Sequence, residues 1–85
     1  MTEAWLRCKS VRLGMFSDER VVVVEMSDGK TNSYFVPEKE VQGDFVRVQV
    51  EKREGTKWIT LPTDHPYLAI PVDNEKLVDE PLVAT

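Results

Sequence analysis

The sequence predicts an all-β domain, a small antiparallel barrel or roll of about five or six strands with at most one or two single-turn helices. Three observations predict it. Apolar residues recur at strand period along much of the chain, most clearly at Val46, Val48 and Val50. Two glycine turn signals, Asp28-Gly29 and Glu54-Gly55, each join a pair of such stretches. No stretch carries the apolar recurrence of a long helix.

Residues 4–16 read as a first strand with a break. Ala4, Leu6 and Cys8 are apolar at even positions, whereas Val11, Leu13 and Met15 are apolar at odd positions. A strand keeps its phase, so one extra residue near Lys9-Ser10 is required. A β-bulge supplies it and bends the strand; two short strands, or an N-terminal arm followed by a strand, are the alternatives. Gly14 fits a second bend or the close approach of another backbone. Ser17-Asp18-Glu19 is the polar loop that follows.

Residues 20–36, RVVVVEMSDGKTNSYFV, carry the strongest local signal, a hairpin. The β-branched run Val21-Val22-Val23-Val24 fits a pleated strand. Asp28-Gly29 offers the positive backbone angles of a two-residue type I′ turn. With that turn, Met26 faces Thr31, Val24 faces Ser33, Val23 faces Tyr34, Val22 faces Phe35 and Val21 faces Val36. One side then holds Val21, Val23, Tyr34 and Val36, and the other holds Val22, Val24, Met26 and Phe35. Both sides are apolar, where an antiparallel hairpin normally keeps one side wet. The other side must be covered by another part of the chain or by a partner, and the second set, Val22, Val24, Met26 and Phe35, is the candidate self-association face.

Pro37-Glu38-Lys39-Glu40-Val41 suits one helical turn, with proline in its first turn and acids after it, and a plain loop equally. Residues 43–51 form the cleanest alternating strand. Val46, Val48 and Val50 point one way and Phe45, Arg47, Gln49 and Glu51 the other. A two-residue turn at Glu54-Gly55 sets Val50 opposite Ile59, Glu51 opposite Trp58 and Val48 opposite Leu61. Apolar meets apolar, and a slip of one residue would destroy that match. Pro62 and Pro66 bracket a loop, because neither serves a central ladder. Residues 67–70 make a short last strand, and Asp73 caps one turn through Asn74, Glu75, Lys76 and Leu77. One domain covers residues 1–78, and residues 79–85 read as a disordered tail. There is no repeat, low-complexity tract or dividing linker.

Gly43-Asp44-Phe45-Val46-Arg47-Val48 resembles the G-D-x-V-x-V opening strand of many SH3-like barrels. The resemblance covers six residues and implies an SH3-like barrel ahead of an OB-like one. It implies no activity, since such folds host unrelated functions.

Composition narrows the function classes. The 85 residues carry a net charge of −4, all of it beyond residue 57, where Lys76 is the sole base among five acids. Nucleic-acid binding rests on clustered Lys and Arg, so the acidic balance disfavours that partner. No apolar run is long enough for a membrane span, and the N-terminus lacks the apolar core of a signal peptide. A single cysteine, Cys8, excludes an internal disulfide and suits a reducing, cytoplasmic setting.

Catalytic and metal chemistry finds little support. His65, the only histidine, follows Asp64 in a proline-rich turn, where the carboxylate bonds backbone amides more readily than the imidazole beside it. A Cys8 nucleophile would need His65 as its base, yet Cys8 keeps phase with Leu6 and Ala4 and reads as a small core residue. One His and one Cys make no zinc set, Asp73-Asn74-Glu75 is no calcium loop, and no phosphate-binding glycine motif occurs. No catalytic residue, metal or cofactor is expected.

The candidate binding surface is the outward side of the 45–51 and 57–61 pair. Phe45, Arg47, Gln49 and Trp58 lie there, with Lys52, Arg53 and Lys57 at its tip. Aromatic and basic residues together stack single-stranded bases or mark protein-binding patches. The structural alternative is that Trp5, or the segment around Tyr67-Leu68, folds over Trp58 and buries it. The sequence thus points to a non-catalytic interaction module that docks to a protein partner or forms a homodimer, with a single-stranded nucleic-acid binder as the second reading.

Overall fold

A computed structural model describes residues 2–63 and 69–80 of the chain. Almost all of its regular structure is antiparallel strand, in two sheets. The elements are β1 (Thr2–Arg7), β2 (Ser10–Leu13), β3 (Glu19–Glu25), β4 (Thr31–Pro37), β5 (Val41–Gln42), β6 (Phe45–Arg53), β7 (Thr56–Thr60), β8 (Ala69–Val72) and β9 (Leu77–Val78). Single 3₁₀ turns at Glu38–Glu40 and Asn74–Lys76 are the only helical segments among the described residues. Sheet A runs in the order β8-β7-β6-β1-β9, with β5 also on β6, and sheet B runs β2-β3-β4.

The break near Lys9-Ser10 is where the chain changes sheets. Ser10 is the ladder partner of Val23, and the Lys9 N–H also donates to the Val23 carbonyl at 2.8 Å. Two residues therefore oppose one, as in a bulge. One step earlier, the Cys8 N–H still donates to Asp44 of the other sheet at 2.8 Å. The bend sends Leu6 and Cys8 into the core from sheet A, while Val11 packs on the same core from sheet B.

The β6–β7 hairpin has the expected register, with Val50 opposite Ile59 and Glu51 opposite Trp58. Glu54 and Gly55 both take positive φ, +50° and +84°, as a two-residue type I′ turn demands. Inside sheet A, β6 offers Val46, Val48 and Val50, β7 offers Ile59, and β8 offers Ile70 and Val72. Across from them, Val22, Val24 and Val36 close the core from sheet B. Each such side chain, fully buried, contributes roughly 1.5–3 kcal/mol.

The β3–β4 hairpin departs from expectation by one residue. Val22 pairs with Tyr34, Val21 with Phe35, and Arg20 with Val36. The cause is the turn. The Met26 N–H donates to the Lys30 carbonyl at 2.8 Å, and the Gly29 N–H to the Met26 carbonyl at 2.9 Å. Gly29 takes φ +87°. The Asp28 carboxylate accepts the Lys30 N–H at 2.9 Å. This is a three-residue loop, Ser27-Asp28-Gly29, closed by a glycine bulge rather than by a two-residue turn. One residue of register turns every β4 side chain over.

Tyr34 and Val36 therefore join Val22 and Val24 inside, and Phe35 joins Val21 and Val23 outside. The proposed self-association face of Val22, Val24, Met26 and Phe35 is not one surface. Val22 and Val24 are fully buried, Met26 packs on the core, and Phe35 lies on the opposite side of the ribbon.

Contacts beyond the ladders tie the sheets together. The Ser27 N–H donates to Pro71 of β8 at 3.0 Å, and Lys76 Nζ reaches Glu25 Oε1 at 2.8 Å. Asp73 precedes the second 3₁₀ turn without capping it through its side chain. Leu77 and Val78, placed in the domain but given no partner by the sequence, pair with Leu6 and Trp5 on β1. Of the expected 67–70 strand, Tyr67 and Leu68 lie outside the described residues, and β8 begins at Ala69.

Candidate functional site

Two surfaces are candidates, one on each sheet. On sheet A, the strand period puts Phe45, Arg47, Gln49, Glu51 and Arg53 on the side away from the core. β1 adds Arg7 opposite Phe45, Trp5 opposite Arg47, and Glu3 opposite Gln49. β7 adds Trp58, which faces Glu51 on one side and Pro71 on the other.

Each of three aromatic rings on this face is capped by a guanidinium. Arg7 lies 5.2 Å from the Phe45 ring centre, Arg47 5.6 Å from Trp5, and Arg53 5.7 Å from Trp58. Such stacks are attractive because the ring face is electron-rich. The arginines are also paired with acids. Arg47 Nε donates to Glu40 Oε2 at 2.8 Å, and Arg47 Nη1 lies 3.7 Å from Glu3 Oε1. Arg53 Nη2 donates to Glu51 Oε2 at 2.8 Å. The hydrogen bond to Glu40 and that carboxylate's charge raise the Arg47 pKa above its ordinary value. The hydrogen bond from Arg53 lowers the Glu51 pKa.

The candidate residues from the sequence are thus only partly brought together. Arg47, Gln49, Arg53 and Trp58 share one face. Phe45 is on that face too but is 3 % exposed, beneath Arg7. Lys52 and Lys57 are ladder partners on the other side of the ribbon, in phase with Val50 and Val72. Two cations directly opposite repel, so the tip is no cationic extension of the aromatic face. Trp58 is half-buried, between Pro71 and Arg53. Trp5 does not fold over it, since β1 lies on the far side of β6. Trp5 and Arg7 were missed as members of this face, because only the long-range β1–β6 pairing reveals them.

Sheet B carries the second surface. Leu13, Met15, Phe16 and Phe35 are 78, 84, 66 and 55 % exposed. Leu13 ends β2, Met15 and Phe16 sit in the following loop, and Phe35 stands near the end of β4. All four are at the same end of the sheet, because residues 19–21 of β3 pair with residues 35–37 of β4 and with Arg12 and Leu13 of β2. Leu13, however, is in phase with Arg20 and buried Val36 on the core-facing side, whereas Phe35 is in phase with Val21 on the outer side. The loop is braced. The Gly14 N–H donates to the Glu19 carbonyl at 3.0 Å, the Met15 N–H to Glu19 Oε1 at 3.2 Å, and the Glu19 N–H to the Phe16 carbonyl at 3.1 Å. A Cβ on Gly14 would fall 2.8 Å from Glu19 Oε1. Gly14 therefore serves a close approach, as its position predicts, and the loop holds Met15 and Phe16 out in a defined shape.

Cys8 is buried, and its thiol faces the Leu6 carbonyl at 3.7 Å. Burial, aided by the Asp44 charge, pushes its pKa up to about 12. It is a protonated core thiol at neutral pH, and His65 lies outside the described residues. Among the described residues no cluster of three His, Cys, Asp or Glu side chains could hold a metal. None of their helices is long and apolar enough to cross a membrane. Comparison with protein-family models, curated proteins and solved structures finds no match for this chain.

Proposed function

We propose that this protein is a non-catalytic interaction module that docks to protein, either a partner or a second copy, through sheet B. One observation carries the reading, the four large apolar side chains Leu13, Met15, Phe16 and Phe35 held exposed at one end of that sheet. Among the described residues thirteen hydrophobic side chains are buried elsewhere, so the domain has the means to bury apolar surface and leaves this set out. Exposed apolar groups at one end of a sheet favour contacts that remove them from water. The roll is read as SH3-like on its Gly43-Asp44 opening strand, and the setting as cytoplasmic on its unpaired buried thiol.

Binding of single-stranded nucleic acid is the second reading, with Trp5 and Trp58 as stacking platforms. It has less support. Arg47 and Arg53, which would meet phosphates, are engaged by Glu40, Glu3 and Glu51, and the net charge is −4.

The test compares the full chain with a Met15→Asp/Phe16→Asp double variant. The reading expects the wild type to self-associate in sedimentation velocity or to retain a discrete protein from extract, and the variant, equally folded by circular dichroism, to lose that species. A wild-type chain that stays monomeric and retains nothing the variant does not would refute it. Quenching of tryptophan fluorescence by an oligonucleotide, weakening with salt, would move the assignment to the second reading.

A further inference from the structure

Sheet B has an open edge at β4, and its geometry selects what can pair there. The Met26 N–H donates to Lys30 at one end of the β3–β4 ladder, and the Glu38 N–H donates to Asp18 at the other, both at 2.8 Å. Bonded and unbonded pairs alternate in an antiparallel ladder. With both ends anchored in the same register, Asn32, Tyr34 and Val36 exchange bonds with β3. Thr31, Ser33 and Phe35 then turn their N–H and C=O groups outward. Among the described residues nothing bonds to those groups.

The other terminal strands are blunted against further pairing. β8 contains Pro71, β5 and β9 have two residues each, and β2 has four including Arg12. Short length, charge and proline are the ordinary protections of an edge. β4 is seven residues, TNSYFVP, without a charge, and its only protection is Pro37 at the end.

We propose that β4 pairs antiparallel with β4 of a second copy, about a two-fold axis through Ser33. The inference rests on the self-association half of the module reading. The register follows from the ends of the usable segment. Ser33 meets Ser33, and Thr31 meets Phe35 in both directions, giving about six backbone hydrogen bonds across three bonded pairs. A slip toward Pro37 puts a residue without N–H into a bonded position. A slip the other way enlists Gly29, whose N–H is already given to Met26.

No like charges meet, because β4 has none, so a second copy meets no repulsion along the seam. The pairing makes one six-stranded sheet whose outer side carries Val21, Val23 and Phe35 from both copies. A five-residue ladder is small beside the roughly 1,200–2,000 Å² of stable interfaces, so monomer and dimer exchange with concentration.

Sedimentation equilibrium of the full chain tests this, with Ser33→Pro and Ser33→Lys variants. The Ser33 N–H is not used by β3, so proline there leaves the hairpin ladder whole. The Lys variant sets two cations at the axis and serves if the Pro variant does not fold. The expected result is a wild-type mass that rises from 9.8 kDa toward twice that value with concentration, and at least a tenfold weaker association in a folded variant. A dimer that a folded variant leaves unchanged overturns the β4 seam but leaves self-association through another surface standing. A wild type that is monomeric throughout overturns both.

Discussion

Phe35 stands opposite Val21 on the solvent side of sheet B, while its neighbour Val36 is buried in the core that also holds Val22 and Val24. That single relationship decides which residues of the hairpin hold the fold and which are free to bind. It follows from Gly29 closing a three-residue loop.

The two neighbours should therefore respond oppositely to truncation. Val36→Ala removes buried methyl groups and is expected to cost roughly 1–3 kcal/mol in urea unfolding. Phe35→Ala is expected to cost about 1 kcal/mol or less, with the larger side chain mattering less. The reverse order would restore the two-residue turn and put Phe35 inside.

Gly14→Ala should destabilise the β2–β3 loop, because the new Cβ meets the Glu19 side chain at 2.8 Å and its backbone oxygen at 3.0 Å. Adding Glu19→Ala relieves the side-chain part of that clash. A double-mutant cycle is expected to show a coupling of roughly 0.5–3 kcal/mol. Strict additivity would mean that Glu19 does not brace Gly14.

The two residues of the β6–β7 turn make a paired prediction. Gly55→Ala places a Cβ at φ +84° and should cost about 1–2 kcal/mol. Glu54 is the one non-glycine residue with positive φ among the described residues, at +50°. Glu54→Asn, a residue that tolerates this region, should raise the unfolding midpoint. A lowered midpoint would contradict the type I′ geometry.

Cys8 links stability to alkaline pH. Its folded pKa, about 12, lies above the ordinary value of 9.0, so between those values the unfolded chain loses the proton first. Stability is fully present below pH 9 and falls as pH rises toward 12. Cys8→Ala should flatten that fall, measured by urea unfolding at several pH values. The native thiol should also resist alkylation until denaturant is added. Rapid modification of the folded chain, or an unchanged alkaline slope in the variant, would contradict the buried placement.

At acid pH the sign is opposite. The hydrogen bond from Lys76, with that ammonium's charge, holds the Glu25 pKa below its ordinary 4.5. The contribution of this pair is present above that value and lost as pH falls through the folded pKa. Lys76→Met should lessen the acid dependence, and an unchanged acid limb would show that the contact carries no stability.

Much of the fold was legible in the sequence where the signal is local. Val46, Val48 and Val50 against Ile59 and Leu61 allow only one register across Glu54-Gly55. The phase jump between Cys8 and Val11 locates the bend at Lys9-Ser10. Asp28-Gly29 misled because Asp-Gly suits both a two-residue turn and a three-residue loop with a glycine bulge. Apolar residues on both sides of this hairpin left no contrast to choose between them. The pairing of β1 with β6, which assembles Trp5, Arg7, Arg47 and Phe45, joins residues about forty positions apart and has no local signature. Met15 and Phe16 looked like a continuing strand, because exposure depends on what lies opposite, and nothing lies opposite a loop.

Amide chemical shifts of the ¹⁵N-labelled full chain, followed through a dilution series, test the central claim most directly. The account predicts concentration-dependent shifts on sheet B, gathered in residues 31–35 where the β4 seam forms, with Trp5, Arg47 and Trp58 unmoved. Shifts confined to Trp5, Arg47 and Trp58 would place the contact on sheet A, and a spectrum identical at every concentration would leave no self-association for sheet B to mediate.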